Sequence, residues 1–167
     1  MDLTPYLPWI VFVHVAAAFI FAAGHGVTMY VAFAVRREKD RARMASLLDI
    51  SSWALGSAGI GMLVVLLAGI LAGVVAGSWN RAWIWLSLVL FITIGIAMTP
   101  IGGAWFNKLR VALGQRTRGL KPADPDPVPV SDGELAALQA SKVPETLLAI
   151  GGGGFLVILF LMMFRPF

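Results

Sequence analysis

Two histidines in a long apolar stretch near the amino terminus are the residues of this sequence best suited to site chemistry. His14 and His25 are eleven residues apart, which in an α-helix is three turns plus about 20°, or roughly 16 Å along the axis. The two imidazoles therefore share one face of a helix. They cannot bind the same metal ion, because two nitrogens on one ion lie only about 4 Å apart. Ligation by either histidine needs a partner from another helix or another protomer.

The face that carries the histidines also carries Ala18, Ala22 and Met29. Such small or soft side chains are typical of the inside of a helix bundle in a membrane. An ionisable residue inside a membrane is by default a functional candidate, here a metal or cofactor ligand. The alternative is a neutral histidine that is hydrogen-bonded to a carbonyl group or a threonine. No catalytic motif is present, so no catalytic residue is predicted and the question of enzyme activity stays open.

The histidines lie in the first of four long apolar segments, which cover about 9–35, 53–77, 83–106 and 143–164. Each reaches the roughly 20 residues that a helix needs to cross a hydrocarbon core of about 30 Å. Apolar residues make up 59% of the chain and charged residues 13%, whereas a soluble domain has about 25% charged residues. The sequence therefore predicts an all-α protein, with residues 1–167 forming a single membrane domain, an antiparallel bundle of four transmembrane helices.

Basic residues predict how the bundle is oriented. Eleven of the thirteen lysines and arginines lie in the loops 36–52 and 107–142. By the positive-inside rule these two loops are cytoplasmic, and both termini lie on the non-cytoplasmic side. The expected location is a bacterial cytoplasmic (inner) membrane. The net charge of +4 then serves contact with anionic headgroups of the lipid bilayer, and no nucleic-acid partner is predicted.

The two basic loops carry different local signals. Helical spacing of apolar residues predicts that the first loop continues as helix into the second span. In the second loop, residues 110–142, prolines 122, 125, 127 and 129 favour an extended segment that does not pack as a core. Ser131 and Glu134 that follow form a capping-box pattern, which predicts a short helix before the last span.

Glycines mark places where another helix could approach closely. Gly69, Gly73 and Gly77 are spaced four apart on the second predicted span, a pattern of small residues found at helix contacts in membranes. The seam has two interpretations: packing within the bundle, or contact with a homodimer partner or a larger membrane complex. The run of four glycines at 151–154 predicts tight packing, a local distortion, or a flat cofactor or helix against the fourth span.

The first span contains the segment VHVAAAFIFAAGHG, residues 13–26, in which His14 is followed ten residues later by Gly24. This pattern resembles the first helix of the copper-resistance-D-like family, the HemJ protoporphyrinogen oxidases and related small bacterial membrane proteins. The resemblance implies a four-helix, haem-protein-like bundle with His14 at the haem-linked position. The other spans contain no histidine or lysine, so the second axial position would be empty, filled by methionine or supplied by a second protomer.

Three functions of different classes follow. The first is a protein that binds b-type haem through His14 or His25, with Gly24 and Met29 lining the cofactor; a metal ion would use the same two histidines. The second is an accessory subunit or assembly factor that docks through the glycine seam. The third is a copper-handling protein or a transporter of a small solute, which would require a polar path across the membrane.

Overall fold

The computed structural model describes residues 2–117, 121 and 123–167. All regular structure in these residues is helical. Its elements are α1 (Leu7–Val35, preceded by a 3₁₀ turn Thr4–Tyr6), α2 (Arg41–Val75), α3 (Ala82–Ala112), α4 (Asp132–Gln139), α5 (Val143–Leu147), a π-helical turn (Leu148–Gly152) and α6 (Gly153–Phe164).

Four helical segments are long and apolar enough to cross a membrane, which confirms the all-α fold and the predicted number of spans. They are Thr4–Val35, Arg41–Val75, Ala82–Ala112 and Asp132–Phe164. Large apolar side chains such as Phe19, Trp53 and Ile96 are exposed on the outside of the bundle. In water such a surface would be costly, so the fold is that of a multi-pass membrane protein whose outer face contacts lipid.

Two spanning helices extend beyond the apolar segments that predict them. The 35 residues of α2 measure about 52 Å along the axis, more than the roughly 30 Å hydrocarbon core. Its first turn begins in the basic loop, where the Asp40 carboxylate accepts hydrogen bonds from the amides of Ala42 and Arg43 at 2.8 and 3.1 Å. The predicted helical continuation of this loop is confirmed. The end of α3 likewise continues to Ala112.

The start of α2 and the end of α3 pack with α4 in a compact cap, here called the basic end, which comprises the described residues of 36–52 and 107–142. The cap and the adjoining turns of α1 and α3 share one core, formed by Val31, Ala32, Val35, Met44, Leu48, Trp105, Phe106, Leu109, Ala112 and Leu135. The α4 helix is tied to the bundle by polar contacts as well. Gln139 donates to the carbonyl oxygens of Val35 and Glu38 at 2.6 and 2.8 Å, which satisfies acceptors left free at the end of α1.

The second basic loop is more ordered than its prolines predict. The amide of Val130 donates to the carbonyl of Ala112 at 3.0 Å, and Pro129 contacts the backbone at Gly114. Thus the proline segment is mostly exposed, as expected, while the residues that follow it pack against α3. The predicted capping box is confirmed, because Ser131 and Glu134 each bond the other's backbone amide. Arg118 and Pro122, which entered the loop predictions, lie outside the described residues.

Helices α1 and α2 pack against each other through glycines. A Cβ on Gly61 would lie 2.8 Å from the backbone nitrogen of Phe21, so a larger residue there would force the helices apart. The predicted seam is wrong for Gly77, because α2 ends at Val75. Gly77 instead lies in the turn to α3 at a φ of +62°, a left-handed conformation that glycine adopts at little cost.

Candidate functional site

His14 lies against α2, where its imidazole has one fixed hydrogen bond. The Nδ1 atom is 2.9 Å from the carbonyl oxygen of Val65. A carbonyl oxygen can only accept, so Nδ1 carries the proton of the neutral ring. The lone pair is then on Nε2, the nitrogen that would bind a metal. The bond to a carbonyl group is the alternative that the sequence left open for His14. The role of His14 as a ligand stays a prediction.

The glycine seam of α2 is covered by side chains of this same chain. A Cβ on Gly69 would lie 2.9 Å from Cε1 and 3.0 Å from Nδ1 of His14, and one on Gly73 would lie 3.3 Å from Nε1 of Trp79. The two rings therefore cover successive turns of α2. The Trp79 nitrogen is enclosed and has no hydrogen-bond partner among the described residues. A seam occupied in this way gives no support to docking of a partner through Gly69 and Gly73.

His25 lies in an aromatic environment three turns further along α1. Its ring stacks on Phe21, with centroids 6.0 Å apart and planes inclined by 12°. Phe21 in turn contacts Phe91 of α3 and Phe155 of α6, at centroid distances of 6.1 and 6.4 Å. The Nε2 atom of His25 is enclosed without a hydrogen-bond partner among the described residues. An enclosed polar nitrogen in such surroundings carries a desolvation cost that nothing described here offsets.

Gly151 of the π-helical turn brings a second donor atom to His25. A Cβ placed on Gly151 would lie 2.7 Å from the His25 Nε2 and 2.7 Å from the Met98 Sδ. Because both atoms are near one point, their separation is at most twice 2.7 Å. Met98 was not singled out from the sequence, so this pairing was missed. The glycine run was the signal in the sequence that could have revealed the pairing. Only a residue without a Cβ leaves the space into which the His25 and Met98 side chains reach.

The glycine run shows two of the effects predicted for it. The backbone is distorted, as the π-helical turn Leu148–Gly152 shows, and single π turns inside α-helices are frequent at functional sites. Packing is also tight at two of the four glycines. Besides the contact at Gly151, a Cβ on Gly154 would lie 2.2 Å from the Ile94 Cδ1, whereas one on Gly153 would meet nothing within 4 Å.

The remaining predicted site residues lie apart from this pair. Gly24 faces α2, where a Cβ would lie 2.6 Å from the carbonyl oxygen of Ala54; its position is therefore explained by helix packing. Met29 is buried, at 7% exposure. The Thr28 hydroxyl donates to the carbonyl of Gly24 at 3.0 Å and so serves its own helix. Within the described residues, no three His, Cys, Asp or Glu side chains are grouped as metal ligands.

His14 and His25 thus form two separate candidate sites, one against α2 and one between α1, α3 and the π-helical turn. The fold and these sites define a four-span α-helical membrane protein with two histidines directed into the bundle. Comparisons with models of protein families, with curated proteins and with solved structures gave no significant match. The resemblance of residues 13–26 to the copper-resistance-D-like and HemJ-like proteins therefore stays a prediction.

Proposed function

We propose that this protein binds a b-type haem in the membrane through the Nε2 atom of His14. The hydrogen bond from Nδ1 of His14 to the Val65 carbonyl supports this proposal. Histidines that bind metal commonly donate their other ring nitrogen to a carbonyl or carboxylate, which fixes the ring and makes the ligating nitrogen more basic. A single axial histidine is one of the ways in which proteins hold haem iron.

The position of His14 suits haem better than that of His25. His14 is seven residues into α1, about 10 Å from the start of the helix, so a haem there would have its carboxylates near the membrane boundary. The exposed Arg81 is the N-cap residue of α3. It follows Trp79, whose ring covers Gly73 on the next turn of the seam, by two residues. Its guanidinium is a suitable partner for a carboxylate.

A porphyrin does not fit between His25 and Met98. The backbone of Gly151 is so close to both donor atoms that even a methyl group would lie 2.7 Å from each. A flat ring of the size of haem would have to displace the whole α5–α6 segment. We therefore assign the haem to His14 and not to His25.

A bound haem would supply one-electron transfer. The chain's own contribution would be to hold the His14 ring in one tautomer, to keep water from it by the packing of α1 on α2, and to leave space over Gly69 for the imidazole. The predicted redox or haem-related process at the membrane is consistent with these roles.

The absorption spectrum of protein purified from haem-replete cells tests this function. Wild-type protein is expected to show a Soret band that is lost in His14→Ala and retained in His25→Ala. Gly69→Ala should perturb the band, because its methyl group would lie 2.9 Å from the His14 ring. Gly59→Ala on the same helix meets nothing within 4 Å and is the matched control. A colourless wild-type protein, or an unchanged band in His14→Ala, would overturn the proposal.

We further propose that the basic end faces the cytoplasm of a bacterial cell, with both termini on the other side of the cytoplasmic membrane. The support is that eleven of the thirteen lysines and arginines lie in the loops 36–52 and 107–142, which is how positive charge distributes in inner-membrane proteins. In this orientation His14 lies in the outer half of the membrane and His25 nearer the inner half.

A further inference from the structure

We propose that His25 and Met98 form a binding site for a soft monovalent metal ion, of which Cu(I) is the biological example. The site lies beside Gly151, inside the bundle. It shares no residue with the proposed haem site at His14 and does not depend on the presence of haem. The proposal is carried by the convergence of the unpartnered His25 Nε2 and the Met98 Sδ on one point in a distorted backbone turn.

The upper limit on the separation of the two donor atoms leaves room for one ion between them. Metal–nitrogen bonds are about 2.0 Å and metal–sulfur bonds about 2.3 Å long, so an ion in line with both donors needs about 4.3 Å between nitrogen and sulfur. The His25 Nε2 and the Met98 Sδ are at most twice 2.7 Å apart. An ion therefore fits within the observed bound, and the atoms that hold it come from α1 and α3, which are distant in sequence.

The chemistry of the donors selects the class of ion. A thioether is a soft ligand and favours Cu(I) over hard cations such as Mg²⁺ or Ca²⁺. Both ligands are neutral, so a monovalent ion brings the smallest charge into a low-dielectric region. A structural zinc site would need four ligands, and the described residues contain no group of three His, Cys, Asp or Glu that could supply them.

The surroundings keep competing ligands away. Phe21 stacks on His25, and Phe91 and Phe155 pack on Phe21, which excludes water from one side of the imidazole. The backbone of Gly151 closes another side of the imidazole. Its lack of a Cβ leaves the room that the His25 and Met98 side chains use there. A metal ion at this point would satisfy the enclosed His25 nitrogen and remove its desolvation cost.

The proposal is tested by anaerobic titration of the purified full-length protein in detergent, with Cu(I) delivered from a coloured chelator of known affinity. Wild-type protein is expected to take one Cu(I) per chain from the chelator. His25→Ala and Met98→Leu should each weaken binding by about 10-fold or more, because loss of a ligand costs at least as much as loss of a residue that only supports one. Met62→Leu is the matched control, because the Met62 sulfur lies 3.9 Å from a Cβ on Gly95 and is not among the atoms that meet a Cβ on Gly151.

Two additional measurements separate this site from haem binding and from loss of folding. Titration of His14→Ala, which cannot hold haem by the proposal above, should give the wild-type Cu(I) stoichiometry. Cu(I) should also raise the thermal unfolding midpoint of the wild type and leave that of Met98→Leu unchanged, which shows that the variant is folded and lacks only the site. X-ray absorption of the copper-loaded protein should show nitrogen and sulfur in the first coordination sphere.

Three results with Cu(I) would overturn the inference. They are failure of the wild type to take Cu(I) from the chelator, equal binding by wild type and Met98→Leu, and a first coordination sphere without sulfur. Binding of Zn²⁺ with the same dependence on Met98 would also contradict it, because the assignment to a soft monovalent ion rests on the thioether.

Discussion

Gly24 of α1 lies so close to Ala54 of α2 that a Cβ on the glycine would be 2.6 Å from the alanine carbonyl oxygen. The same Cβ would be 2.9 Å from the Ser57 hydroxyl oxygen. Two helices can approach to this distance only where one of them presents backbone without a side chain. The contact joins α1 to α2 one residue before His25, so it fixes the rotation of α1 and thereby the direction of both imidazoles.

Substitution of Gly24 is therefore expected to weaken the α1–α2 packing. Gly24→Ala should lower the free energy of unfolding by about 1–3 kcal/mol, the usual cost of an extra group in a packed interior. The measurement is thermal or SDS-induced unfolding of the purified protein in micelles, followed by circular dichroism. Gly26→Ala is the control, because a Cβ there meets nothing within 4 Å and alanine favours helix. Equal destabilisation by both substitutions would show that the Gly24 contact does not hold the helices together.

The spans were predictable because hydropathy depends on composition alone, whereas contacts between spans depend on how each helix is rotated. Gly24 illustrates the difference. The sequence shows that it follows His14 on the same predicted helix. The sequence does not show that it faces Ala54, because that contact depends on the rotation of a second helix. Met98 was missed for the same reason. Its approach to His25 is at Gly151 in a π-helical turn, and a run of glycines indicates distortion or close packing without showing which side chains will fill the space.

Arg110, in the last turn of α3, joins several parts of the basic end. Its guanidinium donates to Asp49 at 2.9 Å, to Ser52 at 2.7 Å, to Gln115 at 3.1 Å and to the carbonyl oxygen of Leu48. Its side chain is only 14% exposed. Arg110→Gln should lower the free energy of unfolding by about 1–3 kcal/mol, because several partly buried acceptors lose a charged donor.

A second arginine provides the comparison. Arg116 pairs with Asp126 at 2.6 Å, but its side chain is 41% exposed and that of the aspartate 80%. Arg116→Gln should therefore cost about 0–1 kcal/mol, as expected of a surface ion pair. Both variants are compared by their unfolding midpoints in the same detergent at low and high salt. A larger effect for Arg116 than for Arg110 would mean that the proline-rich loop, and not the α2–α3 contact, stabilises the basic end.

The α4 helix depends on its amino-terminal cap. Ser131 accepts the amide of Glu134, and the Glu134 carboxylate accepts the amide of Ser131 at 3.1 Å. Ser131→Ala should destabilise the helix by about 1 kcal/mol and speed hydrogen exchange of residues 132–139. Ser46→Ala is the control, because that hydroxyl bonds only a carbonyl of its own helix, at 3.1 Å from Ala42. Unchanged exchange in α4 would show that its packing on Trp105 and Leu109, and not the cap, holds it in place.

The proposed orientation can be tested directly because the chain contains no cysteine. Single cysteines are introduced by Asn80→Cys in the turn between α2 and α3 and by Asp126→Cys in the second basic loop. Both native side chains are exposed, so both thiols should react with a maleimide once accessible. In intact spheroplasts a membrane-impermeant maleimide should label Asn80→Cys, and should label Asp126→Cys only after the membrane is permeabilised.

Labelling of Asp126→Cys in intact cells would reverse the orientation and place His14 in the cytoplasmic half of the membrane. The haem carboxylates would then face the cytoplasm, and an electron donor or acceptor for the His14 site would have to be sought there. The His25–Met98 site would be affected differently. It lies three turns deeper along α1 than His14, so reversal would bring it nearer the outer face, and metal would have to reach it from that side. The labelling result therefore decides from which compartment each site can be supplied.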